Sequence, residues 1–161
     1  TKAGFTIRSL ASDLSMADCW FDYAFRVQPH HTDYSGVVWH GTYIQWMETA
    51  RVDWLRAVNF AFEDFVIAGY DLPVVDLQLR YHNALTLGAE GLIKTRLSPG
   101  RSVKLIWLYE IYNTTPTTPQ LCITGQVTLV PIDLAKRKIA RRLPSQLQSM
   151  FDALQQYFAE N

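Results

Sequence analysis

Cysteine is scarce: the 161 residues hold two, Cys19 and Cys122, far apart and outside any CxxC or mixed Cys/His spacing. Two reduced, inert thiols are the expectation, since free cysteine usually packs as a small hydrophobe. The four histidines, at positions 30, 31, 40 and 82, show no HExxH pattern, so no metal site is expected and no redox cofactor is implied. Charge of one sign is missing too. Fifteen Lys and Arg balance fifteen Asp and Glu, which leaves no long-range field to draw the chain to nucleic acid or to a membrane surface. An anionic ligand must be held by local charges. No apolar run approaches the roughly 20 residues of a membrane span. The opening TKAGFTIRSLASDLSMADCW has neither the basic start nor the apolar block of a secretory signal. A soluble, cytoplasmic protein with no nucleic-acid and no membrane partner is the expectation. Repeats and low-complexity tracts are absent as well.

What is present is apolar and aromatic matter, 48% and 13% of the residues, enough for one well-packed core and too little chain for two domains. Residues 1–20 read as a polar lead-in, and 21–161 as the single domain. Phe21, Tyr23, Phe25 and Val27 alternate with Asp22, Ala24, Arg26 and Gln28 until Pro29, the period of a strand with one buried face. From Tyr43 the period changes: Tyr43, Met47, Ala50, Trp54 and Val58 form one stripe with Trp46 and Ala57 beside it. Gln45, Glu48, Thr49, Val52, Asp53 and Arg56 lie opposite. This predicts a long amphipathic helix over 43–58, with Asn59 as its stop. AFEDFVIAG predicts a short helix ending at Gly69. Four strand patterns follow, VVDLQLRYHNAL, EGLIKTRLS, SVKLIWLYEIYN and QLCITGQVTLVPID, separated by LGAE, SPGR and NTTPTTP turns. Pro144 introduces a terminal helix over 143–158.

Counting faces gives the architecture. Five antiparallel strands offer an apolar concave surface, and the helix at 43–58 is the element aromatic and long enough to fill it. The expected class is α+β: a five-stranded antiparallel sheet wrapped around one long central helix, with a C-terminal helix. An exposed sheet edge favours pairing of two protomers.

The stretch HTDYSGVVWHGTYIQWMETARVDWLR sets an acid, a glycine, an aromatic and a helix start at fixed spacings. It resembles the D-x-x-G-[VI]-V-[WY]-[HY]-x-x-Y signature of the 4-hydroxybenzoyl-CoA thioesterase family, which has the hotdog fold. Asp33, Gly36, Val37, Val38, Trp39, His40 and Tyr43 fall on it. The likeness continues less specifically through PVVDLQLRYHNAL and the strand pairs, over about residues 21–145. Within the family the chain is similar to the 1,4-dihydroxy-2-naphthoyl-CoA thioesterases of phylloquinone synthesis. On spacing alone, an acid ahead of a helix reads first as a turn or capping residue. With the whole signature present, the resemblance implies catalytic roles for Asp33, as nucleophile or general base, and for the amide at His40, which polarises the thioester carbonyl. The physical logic agrees. Thioester hydrolysis needs a group that brings an oxygen to the carbonyl carbon and donors that take the developing charge. A loop carboxylate supplies the first, and the unpaired amides at a helix N-terminus the second.

Gly36, Val38, Trp39, Gly41 and Tyr43 are the candidate substrate contacts, with Gly36 needed for a tight turn or positive φ and Tyr43 equally suited to the core. The resemblance implies that residues after the SPG turn meet the coenzyme A nucleotide, which selects Arg101 and Ser102, with Lys104 on the same strand. A second basic run, Lys136, Arg137 and Lys138 with Arg141 and Arg142, reads first as a solvated surface. Another branch of hotdog enzymes places its carboxylate on the central helix, where this chain has Glu48. Its i,i+3 spacing to Arg51 predicts an ion pair. The expected activity is hydrolysis of an aryl-CoA or related acyl-CoA thioester, with coenzyme A as part of the substrate and no other cofactor. A homo-oligomer is expected, a dimer at least and a tetramer by preference. Two alternatives keep the fold: an acyl carrier protein thioesterase, and a non-catalytic acyl-binding protein.

Overall fold

A computed structural model describes residues 19–98 and 102–160. Most of the lead-in, and Arg101, lie outside the described residues. The alternating segment forms β1 (Phe21–Arg26), and the long amphipathic pattern forms α1 (Thr42–Ala57), followed by α2 (Phe62–Ile67). Asn59 has φ of +58° and so closes α1 in the left-handed conformation that asparagine tolerates. Then come β2 (Tyr70–Asp71), β3 (Val74–Tyr81), β4 (Glu90–Ser98), β5 (Leu105–Asn113), β6 (Gln120–Leu129), β7 (Ile132–Asp133), β8 (Lys138–Ile139) and α3 (Ser145–Glu160).

The five long strands form one antiparallel sheet in the order β1-β4-β5-β6-β3. Strands β4, β5 and β6 are successive hairpins, whereas the first strand and β3 occupy opposite edges because α1 intervenes between them. The alternation of β4 and β5 buries Ile93, Thr95 and Leu97 beside Leu105, Trp107, Tyr109 and Ile111. Against this face α1 lays Tyr43, Trp46, Met47, Ala50 and Trp54. Trp54 meets Trp107 edge-on at 5.3 Å between ring centres and stacks on Phe21 at 5.9 Å. Gly125 of β6 lets the helix approach, since a Cβ there would stand 3.0 Å from the Met47 Cε and 2.9 Å from Leu79. This is the hotdog arrangement, with α3 adding Leu147, Met150 and Leu154 to the same core.

Two features depart from the expected element list. The strand read as QLCITGQVTLVPID breaks at Val130 and Pro131, because proline cannot donate to the ladder. Its remainder joins a second three-stranded sheet, β2-β7-β8. The Glu48–Arg51 pair is a correction: among the described residues neither forms an ion pair. Glu48 is exposed, while Arg51 turns onto the sheet and donates to the Tyr109 hydroxyl at 3.1 Å.

Candidate functional site

The signature stretch folds as a small hairpin between β1 and α1. Val27 donates its N–H to Ala89 at 2.9 Å, which moors the end of β1 beside the start of β4. A single 3-10 turn, Pro29–His31, follows. The chain then doubles back: Asp33 N–H donates to Val37 at 2.8 Å, Gly36 N–H to Asp33 at 3.0 Å, and Trp39 N–H to His31 at 3.0 Å. Gly36 has φ of +75°, and a Cβ there would meet nothing within 4 Å. Backbone conformation, and not crowding within the chain, is what calls for glycine. Leu87 N–H to Gly36 and Val38 N–H to Leu85, at 3.1 and 2.8 Å, fasten the hairpin to the segment ahead of β4.

Asp33 sits at the turn with its side chain exposed. Its Oδ1 accepts the Ser35 N–H at 2.8 Å, a local bond that orients the carboxylate. A few residues on, α1 starts at Thr42, with Gly41 as an N-cap that offers no side-chain bond. Thr42 and Ile44 donate to Trp39 and Gly41 at 2.9 and 3.2 Å, whereas the His40 and Gly41 amides have no acceptor among the described residues. Helix geometry leaves such donors unpaired at the positive end of the dipole. The Trp39 indole lies across Gly41, and any Cβ there would collide with the ring. Glycine is therefore what lets the tryptophan cover the helix start. The His40 carbonyl accepts the Tyr81 hydroxyl at 3.1 Å, which pins this peptide to the end of β3.

Val38, His40, Tyr43, Tyr81, His82 and Asn83 surround a depression of about 200 Å³ next to these amides. Tyr43 is 3% exposed. Its hydroxyl accepts the Leu85 N–H at 3.4 Å, and burial pushes its pKa up, so it stays a neutral phenol packed against Trp46 and Tyr81. Tyr81, His82 and Asn83 were not among the residues singled out from sequence. Their signal was the break of the VVDLQLRY alternation into His-Asn. His82 bonds Thr124 at 3.0 Å, and the Asn83 amide donates to Leu121 at 2.7 Å. Small-molecule sites usually enclose about 300–1,000 Å³, so one chain provides a floor and a rim more than a closed pocket.

The structure does not bring every candidate to this place. Ser102 and Lys104 are exposed, and the Lys104 N–H donates to Ser102 Oγ at 3.2 Å. The signature hairpin leaves the sheet where Arg26 pairs with Glu90, whereas Ser98, the last residue of β4, pairs with Ile106 at the end of the sheet from which Ser102 and Lys104 lead into β5. Eight residue steps of β4 separate these ends, about 26 Å at the usual strand rise. Lys136 and Arg137 lie in the turn between β7 and β8 and Lys138 opens β8, and Lys136 pairs with Asp133 at 3.0 Å. Among the described residues no group of three or more metal-ligating side chains occurs, and no helix is long and apolar enough to cross a membrane.

Comparison with known proteins places this geometry. Residues 27–151 match the model of the thioesterase-like superfamily. The Synechocystis sp. protein sll0410, whose name assigns it provisionally to the esterases, is 49% identical over 142 residues, covering 88% of this chain and 84% of that one. The acyl-CoA thioester hydrolase YbgC of Escherichia coli O157:H7 is 28% identical, covering 81% of this chain and 95% of its own length. Among solved structures, a DHNA-CoA thioesterase from Staphylococcus aureus superposes with a TM-score of 0.72 at 25% identity, over 88% and 94% of the two chains. The Synechocystis 1,4-dihydroxy-2-naphthoyl-CoA thioesterase Slr0204 shares the fold with a TM-score of 0.74 at 24% identity, over 83% and 96%. With the hotdog sheet, the central helix and the signature hairpin all in place, the chain belongs to the thioesterase-like superfamily and is a thioester hydrolase.

Proposed function

We propose that the protein hydrolyses acyl-CoA thioesters with Asp33 as the acting carboxylate and the His40 and Gly41 amides as the oxyanion donors. The observation that carries this reading is the pair of acceptor-free amides at the uncapped start of α1, with a carboxylate in the adjoining turn. The thioester carbonyl oxygen accepts from the amides. Asp33 takes a proton from water as the water oxygen bonds to the carbonyl carbon, and the tetrahedral oxyanion collapses with departure of the coenzyme A thiolate, which then takes up a proton. In the alternative path Asp33 itself attacks, and water opens the resulting anhydride.

The reactive centre is completed by a second copy of the chain. Strand β3 is an open edge, exposing Val74, Val75, Leu77 and Tyr81, and an edge of that kind pairs readily with its equal. A two-fold pairing of β3 with itself is antiparallel, so it sets the Val74 end of one copy beside the Tyr81 end of the other. The Ser102 and Lys104 end of the partner is thereby brought toward the signature hairpin, which removes the separation within one chain. Those residues then meet the nucleotide phosphates. A flat aryl acyl group, including 1,4-dihydroxy-2-naphthoyl, suits the aromatic rim of Trp39 and Tyr81.

The test is a panel of aryl, fatty and acyl carrier protein thioesters, assayed by thiol release with wild-type protein and Asp33→Asn. Release from aryl-CoA substrates by wild type and its loss in the variant is the expected result. Preference for the carrier protein, or unchanged turnover by the variant, overturns the reading.

A further inference from the structure

The hairpin of β7 and β8, with the segment that follows it, gathers charge of one sign. Lys136, Arg137, Lys138, Arg141 and Arg142 supply five of the chain's fifteen Lys and Arg within seven positions, and all five are exposed. Lys136 pairs with Asp133, while the other four form no ion pair among the described residues. Arg137 holds φ of +54°, a conformation that glycine or asparagine adopts at lower cost. The turn thus carries a cation where its backbone favours a neutral residue. Aliphatic side chains stand beside this charge. Leu134 and Ile139 are 44% and 52% exposed in the hairpin, and the Leu134 N–H donates to the Gly69 carbonyl at 3.0 Å, which ties the hairpin to the end of α2, where Ile67 is 83% exposed. None of these residues lines the depression beside the His40 and Gly41 amides.

We infer that this surface docks on an anionic lipid bilayer, with the cations at the headgroup phosphates and Ile67, Leu134 and Ile139 at the boundary of the acyl chains. Basic clusters of this size are drawn to anionic headgroups, and neighbouring apolar side chains add buried area that holds them there. Charge alone would suit any polyanion. Three bare aliphatic side chains, however, gain nothing from a phosphate backbone, and they offer a nucleic-acid base no ring to stack on. A bilayer presents anionic oxygens and hydrocarbon together at every point, whereas a folded acidic partner must match the pattern residue by residue. The balanced charge of the whole chain removes long-range attraction, but unpaired surface cations act within a Debye length, about 10 Å at 0.1 M salt. The protein lies on such a surface and does not enter it, since among the described residues no helix is long and apolar enough to cross.

This inference does not depend on Asp33, and its test separates the two. The full chain is floated through a density gradient with vesicles of phosphatidylcholine alone, or of phosphatidylcholine mixed with phosphatidylglycerol. Flotation with the mixed vesicles is expected at about 0.1 M salt, weakening toward about 1 M as the Debye length shrinks to about 3 Å. None is expected with phosphatidylcholine alone. Arg141→Gln together with Arg142→Gln is expected to weaken binding by about 25-fold, about fivefold for each basic side chain removed from an anionic surface. Ile67→Ser together with Leu134→Ser is expected to weaken it by at least about tenfold, the scale of two partly buried aliphatic side chains. Equal binding to both kinds of vesicle overturns the inference. So does binding that either pair of substitutions leaves unchanged, and an unaffected serine pair points to an acidic protein or a nucleic acid instead. Coenzyme A carries the same phosphate chemistry, and Leu129 pairs with Leu105, which puts the hairpin at the end of the sheet where Lys104 stands. Coenzyme A in excess is therefore added as a competitor: retention on the vesicles is expected, and displacement assigns the cations to the nucleotide and overturns the docking. Asp33→Asn is expected to float as wild type does, so loss of the hydrolytic reading leaves this one standing, and the reverse.

Discussion

At the scale of single residues, hydrogen bonding decides which changes separate chemistry from folding. Asp33 accepts the Ser35 N–H through Oδ1, a role that an asparagine carbonyl fills equally well. Asp33→Asn is therefore expected to leave the melting temperature unchanged while hydrolysis falls by about 10²–10⁴-fold, the usual weight of a positioned general base. Thiol release and thermal denaturation on the same preparation check this. The Tyr81 hydroxyl holds the peptide whose amide is proposed to bind the thioester carbonyl. Tyr81→Phe removes that bond, with an expected stability loss of about 0.5–1.5 kcal/mol in urea unfolding and a fall in kcat greater than any change in KM. His31 adds a pH dependence. Its Nδ1 accepts the Gln28 N–H at 2.9 Å, and partial burial, with His30 second, lowers its pKa below 6.5. The folded protein thus prefers the neutral ring, so this stability is full above pH 6.5 and is lost as pH falls toward the lowered folded value. Melting temperature is expected to drop between about pH 7 and 5, and to drop less in His31→Gln.

At the scale of elements, α1 held to the sheet carries most of the core. Trp54 is 1% exposed between Phe21 and Trp107, and Trp54→Ala is expected to lower stability by about 3–5 kcal/mol in denaturant unfolding. These elements were legible because their periods are unmistakable: the Tyr43 to Trp54 stripe has the helical repeat, and Phe21 to Arg26 the strand repeat. The turn at Asp33 to Gly36 was legible through its glycine, which does have positive φ. The small β2-β7-β8 sheet was not, since two-residue strands carry no period to read. Nor was the inward turn of Arg51. Helical spacing placed Glu48 near it, but Tyr109 arrives from a strand 58 residues away, and no local pattern reports such a partner.

At the scale of the whole molecule, the proposed two-fold pair accounts both for the open β3 edge and for the distance between the signature hairpin and Lys104. Leu77 is 40% exposed on that edge. Leu77→Asp sets like charges facing one another across a β3 pairing. It is expected to shift sedimentation toward the single chain and to abolish hydrolysis while the circular dichroism of the fold persists. A variant that dissociates yet turns over at the wild-type rate refutes the shared site.

The sequence by itself determined the alternation of apolar residues, and with it one sheet, one long buried helix and the acid, glycine and uncapped helix start that stand next to each other in the chain. These rest on interactions within a few residues, which composition and period encode directly. Only the tertiary structure decided which strands lie at the edges, that Tyr81 and His82 join the helix start, that Ser102 and Lys104 stand at the far end of the sheet, and that Arg51 turns onto the Tyr109 hydroxyl and not onto Glu48. The physical reason is that these contacts close over long stretches of chain, where the three-dimensional path, and not the neighbouring residues, sets who meets whom.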